Sequence, residues 1–410
     1  MAQTQFHKLW AASAASNLSD GITLVAAPLL AASLTRDPAL VAGLAFAQRL
    51  PWLLFGLPSG ALADRLDRRR AMAAAGACRA VLIGSLGLAV VMDIASLPLV
   101  YGVFFLVGTG ETLFDISAAT LLPAILPPAE LPRANARLAG TMTLTNLLLG
   151  PPLGALLFTA GSGLPFVLGS AGLAASALLV LAVRGTFKIE NARRVHLKHL
   201  PSEVAEGLRW LWRHQLLRML SLVLGLLDHT LVAQNSVMVL FVQDRLGLDA
   251  AGYGVLVSLY GAGGLLGSVV AHRLIARLGA GVLLRVAVGI ETAYPLVLAL
   301  SHSPVVAGAD FAIFGVHAVV WGALISSLRQ ELTPARLRGR IESAYRFIES
   351  GAAAPGALVG GLLAAQLGLT APFWLGSITG LLLLAIAWPT FSAATVAAAR
   401  RASSDTGRTA

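Results

Sequence analysis

Twelve stretches of about twenty apolar residues, parted by short polar turns, constrain this chain more than any other feature. A bilayer core of roughly 30 Å is crossed by about 20 helical residues at 1.5 Å each. Lipid offers the backbone no hydrogen-bond partners, so an apolar run of that length is read as a helix. The runs lie near 9–32, 38–62, 71–93, 98–122, 134–158 and 163–184, then near 216–241, 251–276, 281–301, 304–328, 341–366 and 371–391. A polar stretch from Gly185 to about His214 separates the two sets. The expected architecture is an all-α integral membrane protein of two six-helix bundles. Residues 1–184 and 216–391 would form the bundles, 185–215 a cytoplasmic linker and 392–410 a cytoplasmic tail.

Composition supports a lipid-facing surface and narrows the function. Only 12% of residues are charged, against roughly 25% in soluble domains. The net charge of +10 comes from short basic clusters between apolar segments. They lack the interleaved aromatics or fold signature of a nucleic-acid binder, so no nucleic-acid partner is expected. The single cysteine, Cys78, excludes intrachain disulfides and cysteine-rich metal sites. Asp20 interrupts the first apolar run and Lys8 alone precedes it as a charge, which argues against a cleaved signal peptide.

The distribution of Lys and Arg predicts orientation, since cytoplasmic connections carry the excess. One set of connections holds the cluster at 65–70, Arg133, Arg137, the linker, Arg273, Arg277, Arg329 to Arg340, and Arg400 with Arg401. The other set holds only Arg36 and Arg245. Both termini are therefore expected in the cytoplasm. Within the linker, residues 201–215 combine charges with Leu208, Trp210, Leu211 and Trp212, the pattern of a helix lying among lipid headgroups.

The halves also repeat. LPPAELPRANAR from Leu126 aligns with LTPARLRGRIES from Leu332, each between a fourth and a fifth span of its set. Asp20 has a near counterpart in Asp228, and Pro152 in Pro355. Duplicated bundles that rock about a central site are the layout of many secondary transporters.

Between the second and third spans stands GALADRLDRRR, residues 60 to 70. The six-plus-six layout with Gly60, Leu62, Ala63, Asp64, Arg65, Arg68 and Arg69 in this order resembles the major facilitator superfamily. LPWLLFGLPSGALADRLDRRR, EGLRWLWRH and LRGR are similar to its bacterial enterobactin-exporter and macrolide-efflux branch. The resemblance implies a cytoplasmic gate at Gly60, Asp64, Arg65, Arg68 and Arg69, with Asp64 meeting the start of the eleventh helix near Ile341. A small residue such as Gly60 allows close helix approach, and a carboxylate such as Asp64 suits a helix N-terminus. Gly150, Pro151 and Gly154 resemble the family's antiporter motif in the fifth helix, with Asn146 where a glycine is usual.

The family fold also implies that spans 1, 4, 7 and 10 line a central cavity. A charge near mid-membrane costs about 2.5–3.5 kcal/mol on insertion scales, which makes each one a functional candidate. Asp20 falls in the first span, Glu111 and Asp115 in the fourth, Asp228 and His229 in the seventh, and Asp310 and His317 in the tenth. Arg49, in the second span, is the cation nearest to Asp20 in this reading and a candidate partner for it. Glu111 and Asp115, four residues apart, share a helix face. Two such carboxylates in a low dielectric repel unless a proton is shared. They could couple protons, bind a cationic substrate or serve as structural hydrogen-bonding groups.

Other charges are expected to be structural: Arg346 with Glu349 as a pair within the eleventh span, and Arg79 and Glu291 on spans outside the cavity. GAGGLLG at 261–267 lacks a preceding strand and is read as a helix-packing surface. His196 and His199 have no further ligands for a metal.

These residues predict a proton-driven exporter of hydrophobic or amphipathic molecules, such as drugs or siderophores, in a bacterial cytoplasmic membrane. Its partners would be the substrate, protons and lipid, acting on a monomer, with no cofactor beyond the proton gradient. Uptake or facilitated diffusion is the rival within transport. A membrane-embedded enzyme or lipid-handling protein is a more distant one, since no catalytic nucleophile–base pair or metal cluster is evident.

Overall fold

In the computed structural model, which describes residues 2–63, 66–185, 187, 200–334 and 338–408, every apolar run becomes helical. The first six spans are α1 (Ala2–Leu34), α2 (Pro38–Ala63), α3 (Arg68–Val91), α4 (Leu97–Ile125), a composite fifth, and α7 (Leu164–Leu181). The fifth consists of α5 (Leu131–Met142), a π-helical turn (Thr143–Leu149) and α6 (Gly150–Ala160). After α8 (Leu200–Arg213) come α9 (Gln215–Asn235) with its short extension α10 (Met238–Asp244), α11 (Ala250–Leu278), α12 (Ala280–Leu300), α13 (Pro304–Leu332), α14 (Arg338–Leu367) and α15 (Ala371–Ala387). Ten described helices are long and apolar enough to cross a membrane, and Gly351–Leu367 and Ala371–Ala387 are shorter apolar helices. No strand occurs among the described residues.

Local chemistry sets the helix ends. Asp67, Asp249 and Ser303 accept backbone N–H groups of the first turns of α3, α11 and α13, each satisfying an orphan donor. Gly279, at φ 75°, is the single residue between α11 and α12 and caps both, a backbone shape that glycine adopts without strain. The π turn has a comparable origin. Pro151 and Pro152 have no N–H to return to Leu147 and Leu148, and the Gly150 N–H bonds the Thr145 carbonyl five residues back.

Small residues bring the helices together, as expected where lipid removes the usual hydrophobic drive between them. Gly150 and Gly154 of α6 lie against the α1 backbone at Gly21 and Ile22. In the second half, Gly356 and Gly360 of α14 lie against the α9 backbone at His229 and Ala233. Both glycine pairs are related by the offset of 206 residues that aligns Leu126 with Leu332. The halves meet through α2 on α14 and through the fifth span on α11. There Gly261 lies on the Leu147 carbonyl and Gly254 on Ala155 and Pro151.

Buried apolar side chains are distributed unequally along the bundle. At the end opposite the termini, one cluster draws on both halves, with Val25, Leu29, Val41 and Phe104 joined to Val237, Phe241, Leu256 and Phe373. An Arg36–Asp244 ion pair, with Arg36 also bonded to Gln243, clasps the halves there. At the end carrying the termini, each half keeps its own cluster: Phe6, Met72, Phe114 and Leu121 in one, Leu217, Leu284, Trp321 and Tyr345 in the other. Among the described residues, the large core common to both halves lies at the end opposite the termini.

Two peripheral helices complete the chain. The amphipathic α8 packs on α14 and α9, burying Leu211 and leaving Trp212 half exposed. Residues 393–408, expected as a plain tail, form α16 (Ala393–Arg408). It rests on α12 and α13, and Arg400 Nε donates to Glu331 at 2.8 Å.

Candidate functional site

Two buried charge pairs occupy the middle of the bundle, one in each half. In the first, Arg79 of α3 is 1% exposed. Its Nη2 donates to Asp20 Oδ1 of α1 at 2.5 Å. Its guanidinium lies 5.7 Å from the ring centre of Phe114 in α4. Gly110 makes the room, because a Cβ there would meet Arg79 Cγ at 2.9 Å. Glu111 and Asp115 act electrostatically on the same guanidinium, and Glu111 on Asp20 as well. Three carboxylates thus converge on one buried cation.

The sequence-based partner for Asp20 was Arg49, and the pairing differs. Arg79 takes that place, although its span was read as outside the cavity; the long side chain reaches inward from α3 across Gly110. Arg49 of α2 instead exerts its charge on Asp228 of α9, which also feels Glu291 and His229. His229 Nδ1 is 2.9 Å from the Ala352 carbonyl, tying α9 to α14.

The second pair joins α13 to α12. His317 Nε2 lies 3.0 Å from Glu291 Oε1, and the two side chains are 2% and 12% exposed. Glu291 was likewise expected outside the cavity. His317 sits between Phe314 and Trp321, with ring centres 5.4 and 6.2 Å away. Phe314 in turn stacks on Tyr294 at 4.0 Å and approaches Tyr260 at 6.1 Å. Asp310, two turns before His317 on the same face of α13, keeps a buried Oδ2 without a hydrogen-bond partner among the described residues.

The gate motif is described in part. Asp64 and Arg65 lie outside the described residues, and Gly60 falls within α2 where side-chain surroundings are likewise not described. Arg68 Nη1 donates to the Thr120 carbonyl near the end of α4 at 2.9 Å, and Arg69 Nη1 to the Val183 carbonyl beyond α7 at 2.8 Å. Both arginines therefore bind their own half, where a cation also complements the helix C-terminal dipole. Of the antiporter-like motif, Gly150, Pro151 and Gly154 are buried at the α1 contact. Of the expected Arg346–Glu349 pair, the Arg346 side chain lies outside the described residues; Glu349 meets Arg329 of α13 at 3.9 Å. His196 and His199 do too. No group of three or more His, Cys, Asp or Glu side chains among the described residues could hold a metal ion.

A family model described as "Transmembrane secretion effector" matches residues 1–408. The chain belongs to that family, within the major facilitator superfamily. It is accordingly a multi-pass membrane transporter and not an enzyme. A relative from Mycolicibacterium fortuitum, the multidrug efflux pump Tap, is 26% identical over 391 residues, covering 90% of this chain and 91% of Tap. Among solved structures, a bacterial homologue of the iron transporter ferroportin in an inward-facing state aligns at TM-score 0.76 and 16% identity, covering 95% of this chain and 99% of that one. The nucleoside transporter NupG aligns at TM-score 0.76 and 13% identity, covering 94% and 98%. At such identities these structures share the fold. In this major facilitator chain α1 and α4 carry Asp20, Glu111 and Asp115, and α3 and α12 carry Arg79 and Glu291.

Proposed function

We propose that the protein exports hydrophobic or amphipathic small molecules from a bacterial cytoplasm in exchange for protons. The observation that carries this reading is the buried Arg79, shared by Asp20, Glu111 and Asp115. Arg79 is paired with Asp20, and the half-buried Glu111 acts on both; a further carboxylate beside a satisfied pair in a low dielectric favours a proton or a cationic substrate. Alternation between those two occupants is what obligatory exchange requires. Asp228 and His317 carry the polar groups into the second half, with Arg49 of the first half acting on Asp228.

Efflux as the direction is supported by the multidrug pump Tap. The basic clusters put the termini in the cytoplasm of an inner-membrane protein. With that orientation, the separate cores at the termini end and the shared core at the other support a state that loads from the cytoplasm. The gate arginines Arg68 and Arg69 then await the closed state, in which Asp64 and Arg65 would reach the partner half. A single chain contains both bundles and acts as a monomer.

The test uses inside-out vesicles with an acidic lumen. Wild-type protein should concentrate an amphipathic dye in the lumen, whereas a proton-driven uptake symporter would not. The double variant Glu111→Gln, Asp115→Asn should lose uphill accumulation and retain downhill dye exchange. Undiminished accumulation by the double variant would assign both carboxylates to structure.

A further inference from the structure

Transport makes no use of Arg285, the sixth residue of α12. Its Nε and Nη2 both donate to the Trp388 carbonyl, at 3.0 and 2.7 Å. The guanidinium also lies over the Trp388 ring, 4.4 Å from its centre, a cation–π contact that fixes its plane. Trp388 caps the C-terminus of α15, where helix carbonyls lack intrahelical partners. Capping accounts for two of the five N–H donors of a guanidinium. The other three, two on Nη1 and one on Nη2, have no partner among the described residues. They form the end-on fork that matches a phosphate.

The charge is uncompensated as well. No Asp or Glu occurs from His272 to Ile290 or from Ala371 to Ser404. Farther along α12, Glu291 meets His317, and Glu331 at the end of α13 is engaged by Arg400. Beside the guanidinium runs a groove of about 370 Å³ lined by Leu381, Leu384, Ala385, Trp388 and Pro389. The first four recur every three or four residues and so share one face of α15. Leu381 and Trp388 are 60% and 50% exposed, an apolar strip at the surface that lipid covers. A soluble anion would gain nothing from such a groove. A phospholipid would fill it with a chain while its phosphate met the fork.

We propose that Arg285, Trp388 and the groove along α15 form a site for one anionic phospholipid. The phosphate takes the Nη1 and Nη2 fork, and an acyl chain runs from Trp388 toward Leu381, about 10 Å deeper at 1.5 Å per residue. Arg273 and Arg277, in the last turns of α11 before the same corner, add positive field and favour an anionic headgroup over a zwitterionic one. With the termini in the cytoplasm, the lipid belongs to the inner leaflet, where anionic headgroups gather. The held lipid bridges α12 and α15, which pack along one another. The site goes beyond the exporter reading and does not depend on it.

Lipids with brominated chains quench a tryptophan that they touch, so Trp388 can report on its own groove. The full chain is reconstituted in vesicles of phosphatidylcholine with a minor share of phosphatidylglycerol. One set carries bromine on the phosphatidylglycerol chains and the other on an equal share of phosphatidylcholine. The Trp388 signal is the part of the fluorescence that Trp388→Phe removes, in each background, from the seven tryptophans of the chain. Wild type should prefer phosphatidylglycerol at Trp388 by about fivefold, the gain for one arginine near an anionic surface. Arg285→Gln should show equal quenching by the two lipids. Arg285→Lys keeps the charge and loses the fork, so it should retain part of the preference and guards against a folding defect. Inorganic phosphate, compared with chloride at matched ionic strength, should leave the wild-type preference unchanged; a loss would assign the fork to a free anion and overturn the lipid site. Equal quenching by both lipids in wild type, or an undiminished preference in Arg285→Gln, would overturn it too. The readout is lipid contact and not transport, so failure here leaves the exporter reading standing, and failed dye transport leaves this site standing.

Discussion

In the first half of the chain a carboxylate from α1 meets a guanidinium from α3; in the second, a carboxylate from α12 meets an imidazole from α13. Both pairs sit where lipid would make a lone charge costly, yet they are built for different duties. Arginine stays protonated at any pH the protein meets, so Asp20 faces a constant positive charge and the variable element must be a neighbour, Glu111 or Asp115. In the second half the partner is an imidazole, 3.0 Å from Glu291 and set between the rings of Phe314 and Trp321. One half holds a fixed charge surrounded by titratable groups, and the other holds the titratable group at its centre. Duplication supplied similar helices, and side-chain choice divided the work between them.

The contrast can be broken most forcefully at Asp20. Asp20→Asn leaves the buried Arg79 without its counter-charge, and losing one member of such a pair costs about 3–5 kcal/mol. Thermal unfolding in detergent should show a large loss, partly restored by adding Arg79→Gln. A single variant as stable as wild type would mean that Glu111 or Asp115 replaces Asp20 at the guanidinium.

A smaller effect tests how far the halves are equivalent in packing. A Cβ at Gly154 would collide with the Ile22 carbonyl of α1, and one at Gly360 with the Ala233 carbonyl of α9. Overpacking of this kind costs about 1–3 kcal/mol, so Gly154→Ala and Gly360→Ala should lower the melting temperature by similar amounts. A clear inequality would show that only one of the two contacts is tightly held.

The least effect on stability belongs to His317. A glutamine there keeps a side-chain donor for Glu291, and a side-chain hydrogen bond contributes about 0.5–1.5 kcal/mol. His317→Gln should therefore unfold within that margin of wild type. A loss as large as that of Asp20→Asn would make the second pair as structural as the first.

The spans and the repeat were legible in the sequence because they depend on run length and on turn chemistry. Membrane thickness fixes the former, and the Leu126 and Leu332 turns preserve the latter. Pairing was less legible. Hydropathy places a residue along a helix but says little about the rotation of that helix about its axis, so Asp20 could not be matched to α3 over α2. A signal did exist. Arg79 stands in a run otherwise free of charge, near Gly76 and opposite Gly110, and a lone cation beside small residues invites an inward reading. Glu291 carried the same sign. The α16 helix escaped notice because its sequence, alanine-rich and basic, is too polar to register as a span.

The apolar cluster common to both halves also gives the transport cycle an energetic slope. Opening that end would part the Val25 to Ala32 face from the Val237 to Val242 face, wetting surface at about 25 cal/mol per Å². Closing the other end returns less, since each half there already buries its own apolar residues. The two conformations are thus unequal in free energy, and the rarer one is reached only when a ligand binds it better. Because apolar association weakens on cooling, the imbalance is temperature-dependent: the rare conformation becomes less rare in the cold, while warmth holds the ensemble to the conformation described above.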